Sequence, residues 1–418
     1  MCVPINVTVT SPKKEPTFEL RSRMSHPQIR QSTIQGLLEK VRKNNYHKYL
    51  KVARLHRVRG FFGGQVTFEF PVTALIGPNG GGKSTILGAA ACAYKEIKPG
   101  LFFPKSSIGD NSMSEWSMEY ETLDRDVNAS GPVRRSSVFR QLRWARGDVL
   151  SRSLRYFGIN RTVPAGEKPQ FKKLMKPSYH HEYPILDVDP LAAKEIEKVL
   201  GKSVSSFRQT RFGTTGLFFV GKNKGNEYSE FHFGAGESSI IRIISEIESL
   251  PNSSLVLIEE IENGLHPVAV RCLVEYLIAV AERKSIQSIF TTHSDDALDP
   301  LPPEAIWSSL DGQVQQGKLS VAALRAVIGR VDTDLVIFTE DRFSNAWVNG
   351  ILRLHFRSEF DRIEVHAVAG AGNAKKIHKL RKSDPSISSR SICVLDGDSM
   401  ENPEEAKAFL NFPAASRN

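Results

Sequence analysis

Gly77-Pro78-Asn79-Gly80-Gly81-Gly82-Lys83-Ser84-Thr85 decides the reading of this chain. The stretch fits G-x-x-x-x-G-K-[ST], a loop that cradles phosphate between a strand and a helix. Both flanks suit it. Val72-Thr73-Ala74-Leu75-Ile76 reads as a short buried strand, and Thr85-Ile86-Leu87-Gly88-Ala89-Ala90 opens a helix. The glycines let backbone N–H groups turn inward around phosphate oxygens, and the helix N-terminus adds the positive end of its dipole. Lys83 is placed to reach the β- and γ-phosphates of a nucleotide, and the Ser84 hydroxyl to ligate Mg2+. A chance glycine-rich turn would not bring strand, loop and helix together in this order.

At 418 residues the chain has room for about two to three domains and an ample core. With 40% hydrophobic and 24% charged residues it has the composition of a soluble globular protein. No apolar run approaches the roughly 18 residues of a membrane span, and Val3–Val7 is too short and polar for a signal peptide. Cys2, Cys92, Cys272 and Cys393 are scattered without C-x-x-C spacing. That pattern suits free thiols in a reducing, cytoplasmic compartment and argues against zinc or a disulfide framework.

The net charge is +10. Arg134, Arg135, Arg140, Arg143, Arg146, Arg152, Arg155 and Arg161 stand against one acid, Asp148, with Phe139, Trp144, Tyr156 and Phe157 interleaved. Arginines with aromatics suit a nucleic-acid backbone and stacked bases. The alternative is a pair of strands with solvated faces.

Residues 1–48 read as a polar arm followed by an amphipathic helix from Ser32 to about Tyr46, with Ile34, Leu37, Leu38 and Val41 on one face. From Leu55 to Phe70 a hairpin leads into the phosphate loop, and Leu217–Phe233 holds a second hairpin. Residues 100–215 carry weak signals. A helix begins near Glu237, Ser254–Ile258 is an apolar strand, Pro267 to about Arg283 a helix, and Ser288–Thr292 another strand. After the prolines near residue 300 the pattern restarts. Strands Asp334–Phe338, Ile363–Val368 and Ser391–Leu395 alternate with helices Phe343–Leu354 and Asn373–Lys382. The expected division is 1–48, 49–312 and 313–418, the last a small α/β unit.

The apolar strand at 254–258 ends in Glu259-Glu260, and the strand at 288–292 is followed by His293. Downstream of a phosphate loop these are a hydrolysis site in outline. Glu259 would hold the Mg2+ shell, Glu260 would orient and deprotonate the attacking water, and His293 would hydrogen-bond the γ-phosphate. Ligands in open α/β sheets bind at the carboxyl ends of the strands. Phe233-Gly234-Ala235-Gly236-Glu237 is a second small-residue loop at a helix N-terminus. One γ-phosphate does not need two such loops; two chains that each lend the loop to the other's nucleotide do.

These segments together resemble the ABC-type ATPase head of chromosome-maintenance and repair ATPases, over roughly residues 50–310. The resemblance implies ATP as ligand and a mixed-sheet P-loop fold. Gly77–Ser84 matches Walker A, and Leu255–Glu260 matches Walker B, with Glu259 where Asp is commoner. Phe233–Glu237 matches the signature loop, with Gly234 where that loop usually has Ser. Glu262-Asn263-Gly264-Leu265-His266-Pro267 resembles the D-loop of the soluble subgroup, which disfavours a transporter subunit, and Thr292-His293-Ser294 matches the switch histidine. For the Q-loop glutamine, Gln141 and Gln170 are both open, as are Phe61 and Phe62 for adenine stacking.

The C-terminal unit resembles the start of a TOPRIM domain, and the combination resembles the overcoming-lysogenisation-defect (OLD) nucleases, many of which serve in antiphage defence. That resemblance implies Mg2+ held by Glu340, Asp396 and Asp398 for phosphodiester cleavage. Ser344 stands where the family usually has an acid, Asp341 replaces the usual Gly, and the sequence ends at Asn418, shortly after Asp398. The TOPRIM-like unit is therefore expected to be partial. The functional expectation is an ATP-dependent homodimer that controls a nuclease acting on DNA or RNA. The alternative is an ATPase sensor or scaffold whose degenerate tail docks a partner effector.

Overall fold

The computed structural model describes residues 29–317 except 107, 141–142, 205, 213–215, 224 and 311, together with 335–355, 363–368, 370–383 and 390–395. The polar arm, residues 1–28, lies outside the described residues. Helix α1 (Gln31–Arg42) buries Ile34, Leu37, Leu38 and Val41, the face its period specifies. Strand β1 (Lys48–Arg57) pairs antiparallel with β2 (Gln65–Thr67), the hairpin before the phosphate loop. Strand β3 (Val72–Ile76) is buried along its whole length and feeds the loop, and α2 (Lys83–Cys92) leaves it.

The weakly patterned middle folds as β4 (Ser117–Asp124), β5 (Val133–Arg140), β6 (Arg143–Arg146) and β7 (Leu154–Phe157). It continues as β8 (Ile185–Asp187), α3 (Pro190–Leu200), β9 (Arg208–Phe212), β10 (Gly216–Asn223) and β11 (Asn226–Ser229). Then come α4 (Ala235–Ser249), β12 (Leu255–Ile258), α5 (Pro267–Lys284), β13 (Gln287–Thr291), β14 (Ile306–Leu310) and β15 (Gln313–Gln316).

The central sheet runs β15-β14-β3-β13-β12-β7, parallel except for β15. Its inner strands β3, β13 and β12 are buried on both faces. Along β12, Val256 and Ile258 point into the apolar layer with α4 and α5, while Leu255 and Leu257 point into the layer with α2 and the antiparallel sheet. A strand covered on both sides reads as a continuous apolar run, which is why β3, β12 and β13 are legible in the sequence. The antiparallel sheet β2-β1-β4-β5-β6 and the sheet β11-β10-β9-β8 flank this centre. The chain is thus an α/β fold with a mixed sheet.

The C-terminal unit has three parallel strands, β16 (Leu335–Thr339), β17 (Ile363–Ala367) and β18 (Arg390–Val394), in the order β17-β16-β18. Helices Arg342–His355 and Ala371–Ser383 connect them. Thr339 lies opposite Val394, so β16 and β18 end side by side. Among the described residues no helix is long and apolar enough to cross a membrane.

Candidate functional site

Four parallel strands of the central sheet end at one cleft. Strand β3 delivers Gly77–Thr85, β12 delivers Glu259 and Glu260, β13 delivers His293, and β7 delivers Ile159. The cleft holds about 460 Å³ and is also lined by Arg59, Phe61 and Thr291. The sequence-predicted loop residues Pro78, Asn79, Gly80, Gly81, Gly82, Lys83, Ser84 and Thr85 all border it.

The loop's shape depends on its glycines. Gly80 and Gly82 have φ of 79° and 101°, conformations costly for any residue with a Cβ. At Gly82 a Cβ would also stand 2.5 Å from the Phe61 ring. Phe61 is therefore the floor of the loop, while Phe62 is 72% exposed, with Arg57 5.4 Å from its ring centre. Of the two aromatic candidates, Phe61 borders the cleft but is buried against the loop, and Phe62 is exposed but does not line the cleft.

Lys83 is 7% exposed and donates to the carbonyls of Gly77 and Pro78, both at 2.9 Å. Burial pulls its pKa down to about 8, against the opposing pull of Glu260 and Glu262. The ammonium thus rests on the loop's own carbonyls, in reach of the phosphate cradle. Arg59 adds a second cation. Its guanidinium donates to Thr85 Oγ1 at 3.1 Å and Phe102 O at 2.8 Å.

The two acids after β12 are held differently. Glu259 Oε2 accepts the Tyr156 hydroxyl at 2.8 Å. Burial, and then Glu259 itself, raises the tyrosine pKa, so Tyr156 keeps its proton and serves as donor. Glu260 has a φ of 44°, the left-handed region, which a non-glycine residue adopts only when its surroundings enforce it. Its N–H donates to Thr291 Oγ1 at 2.8 Å, and its carbonyl accepts Arg161 Nη2 at 2.6 Å. Glu262 caps the end of β13, accepting from Thr292 Oγ1 at 2.7 Å and from the His293 N–H at 2.6 Å.

A divalent cation fits this donor set. Ser84 is exposed at the first turn of α2, and the Glu259 carboxylate is part-buried at the same cleft, so hard oxygen donors face the phosphate cradle. No sequence motif marks Tyr156, Arg161, Arg59 or Glu262 as a site residue. Tyr156 and Arg161 fall within the basic run, and Glu262 begins the D-loop-like segment after the acid pair. Nothing in the local pattern around Arg59 marks it.

Several expected residues lie elsewhere. Gly234, Gly236 and Glu237 begin α4 and do not line the cleft; Glu237 pairs with Lys202 at 2.5 Å. Gln170 borders a neighbouring cleft with Arg155, Arg161, Lys168 and Arg242 rather than the phosphate cleft, and Gln141 lies outside the described residues. In the basic run, Arg152 and Arg161 are buried, Arg155 pairs with Glu246 at 2.6 Å, and Phe139 and Phe157 are core residues. The stacking half of the proposed nucleic-acid pattern is largely interior. Arg134, Arg140 and Arg143 remain on exposed positions of the β5–β6 hairpin.

In the C-terminal unit, Glu340 follows β16 directly. Asp396 and Asp398 lie outside the described residues, and among the described ones no group of three His, Cys, Asp or Glu could hold a metal. Asp341, in place of the expected Gly, caps the helix Arg342–His355 by accepting the Ser344 N–H at 2.7 Å, a bond that lowers its pKa. Ser344 is buried in that first turn.

Residues 93–299 match the family described as "AAA domain, putative AbiEii toxin, Type IV TA system". The match begins after the phosphate loop and includes α4, the acid pair and His293. The chain carries an ATPase domain of this AAA/AbiEii type. Among solved structures it is similar to an Smc head bound to the C-winged helix domain of ScpA, at 16% identity and a TM-score of 0.46, over 65% of this chain and 98% of that one. It is also similar to the SMC head domain from Thermotoga maritima, at 13% identity and a TM-score of 0.40, over 65% and 99% of the two chains. An ATP-binding cassette of an ABC transporter in its ADP conformation gives 11% identity and a TM-score of 0.34, over 67% and 95%. These are loose likenesses. No curated protein matches the sequence.

Proposed function

We propose that this chain binds and hydrolyses ATP at the cleft between β3, β12 and β13, with Glu260 as the base. One observation carries the reading: phosphate loop, acid pair and His293 border a single cleft at the carboxyl ends of parallel strands. The loop N–H groups and Lys83 bind the phosphates, and Arg59 adds charge beside Thr85. Ser84 and Glu259 would hold Mg2+, which neutralises charge developing on the phosphates. Glu260 takes the proton of the attacking water, and His293 donates a hydrogen bond toward the terminal phosphate. The loop Phe233–Glu237, away from this cleft, serves the nucleotide of a second copy, which makes ATP the bond of a homodimer.

The C-terminal unit is the effector of the same reading, a Mg2+-dependent TOPRIM-like nuclease on DNA or RNA in an OLD-type antiphage system. Glu340 stands at the end of β16, beside the end of β18 that leads to Asp396 and Asp398. The exposed arginines of the β5–β6 hairpin suit a nucleic-acid backbone. A second reading has its own support. Phe343, Trp347 and Ile351 fall at i, i+4 and i+8 of one helix and are 75%, 60% and 38% exposed. An apolar stripe of this kind suits a docked partner effector. Incubation with DNA and RNA in Mg2+ and Mn2+, with and without ATP, separates the two. Cutting supports the nuclease; no cutting under any condition leaves the docking reading.

A further inference from the structure

Arg161 sits in the short turn Ile159–Thr162 after β7, and it is 6% exposed. Its guanidinium is used on three sides. Nη1 donates to the carbonyls of Glu259 at 2.6 Å and Gly158 at 3.1 Å, and Nη2 to that of Glu260 at 2.6 Å. Nε donates to the Ser239 hydroxyl at 3.1 Å, on the second turn of α4. One planar fork therefore ties the end of β7, the peptide of the proposed base and the helix that begins at the second phosphate-binding loop. The carbonyl it holds belongs to Glu260, whose left-handed φ needs enforcement.

Resting on the ATPase reading above, we propose that Arg161 is a positioning residue for hydrolysis. It pins the Glu260 peptide and links it to α4, so that docking of α4 on a second copy's nucleotide sets the aim of the Glu260 carboxylate. Two further contacts follow the same route. Asn263 Nδ2 donates to Thr162 Oγ1 at 3.3 Å, and Gly236 packs so closely on the Gly264 carbonyl that no Cβ fits between them. The start of α4 thus bears on the segment just after the acid pair. A lysine at 161 could not replace the fork, since one ammonium cannot span three carbonyls and a hydroxyl in fixed directions.

The test uses the full chain, with ATP turnover and binding of a fluorescent ATP analogue. Arg161→Lys is expected to lower kcat about 100-fold, the scale of an ångström-sized misplacement, with KM and analogue affinity near wild type. In the Glu260→Gln background Arg161→Lys should add no further loss, because it acts through Glu260. An ATP-bridged homodimer makes kcat rise with protein concentration; Ser239→Ala removes only the link to α4 and should flatten that rise. A wild-type kcat in Arg161→Lys overturns the proposal. So does a multiplicative loss on top of Glu260→Gln, or a Ser239→Ala protein with the wild-type concentration dependence. The Ser239→Ala arm decides the matter should Arg161→Lys fail to fold. If Glu260→Gln alone leaves turnover unchanged, the hydrolytic reading itself has failed, an outcome distinct from these.

Discussion

Lys83 rests on the Gly77 and Pro78 carbonyls with its pKa drawn down to about 8 by burial, and this has a consequence for ligand binding. Phosphate binds the ammonium, not the amine. As pH rises through about 8, the free protein loses that charge while nucleotide would hold it, so ATP affinity should fall by about tenfold per pH unit above 8. Lys83→Arg, charged throughout, should flatten the profile. Folding has the opposite sign. Between about 8 and 10.5 the unfolded chain keeps a proton that the fold has shed, so this group makes the free protein more stable with rising pH. Analogue titrations across that range check the first effect, and a flat wild-type profile contradicts it. Tyr156 gives a second residue-scale prediction. Its hydroxyl orients the Glu259 carboxylate, and losing such an outer hydrogen bond typically weakens a metal site 10- to 100-fold. Tyr156→Phe should raise the Mg2+ concentration for half-maximal turnover by about tenfold. At this scale the sequence was legible where a motif fixes spacing, as at Lys83, Glu260 and His293. It was silent on Tyr156, Arg161 and Arg59, whose roles arise from strand ends and turns brought together only by the fold.

The start of α4 shows why two glycines in one loop are not equivalent. Any Cβ at Gly236 would press on the Gly264 carbonyl of the same chain, so Gly236→Ala should destabilise the folded protein by about 1–3 kcal/mol, seen as a lowered Tm. A bulky acid at Gly236 is therefore not a clean probe of assembly. Gly234 has open space where its Cβ would be, so Gly234→Glu places a negative charge there without disturbing the chain. It should leave Tm unchanged and abolish ATP-driven dimerisation, measured by light scattering in the Glu260→Gln background. A dimer that persists would remove this loop from the interface. The apolar strands and α1, α4 and α5 were legible because period and burial agree along them. Residues 100–215 were not. Sheets with one solvated face mix charges into the strand pattern: Arg134 of β5 stands opposite Glu121 of β4, its Nε 3.5 Å from that carboxylate, a pairing the local sequence does not reveal. Helix α3 carries local signals of its own: Asp189 caps it, Pro190 opens it, and Gly201 closes it in the left-handed region.

Across the whole molecule, the ATP cleft and the C-terminal sheet are built from different strands, so their chemistry should separate. Asp396→Ala should abolish any metal-dependent cutting of nucleic acid and leave ATP turnover near wild type; cutting that survives it would place the nuclease elsewhere. The central claim, that the cleft at the ends of β3, β12 and β13 hydrolyses ATP with Glu260 as base, is open to one direct comparison. ATP binding and steady-state hydrolysis are measured for wild type, Lys83→Ala and Glu260→Gln. Lys83→Ala should lose most nucleotide binding. Glu260→Gln should bind ATP as tightly as wild type and turn it over at least about 100-fold more slowly, the usual contribution of a general base. Equal turnover in wild type and Glu260→Gln would contradict the account.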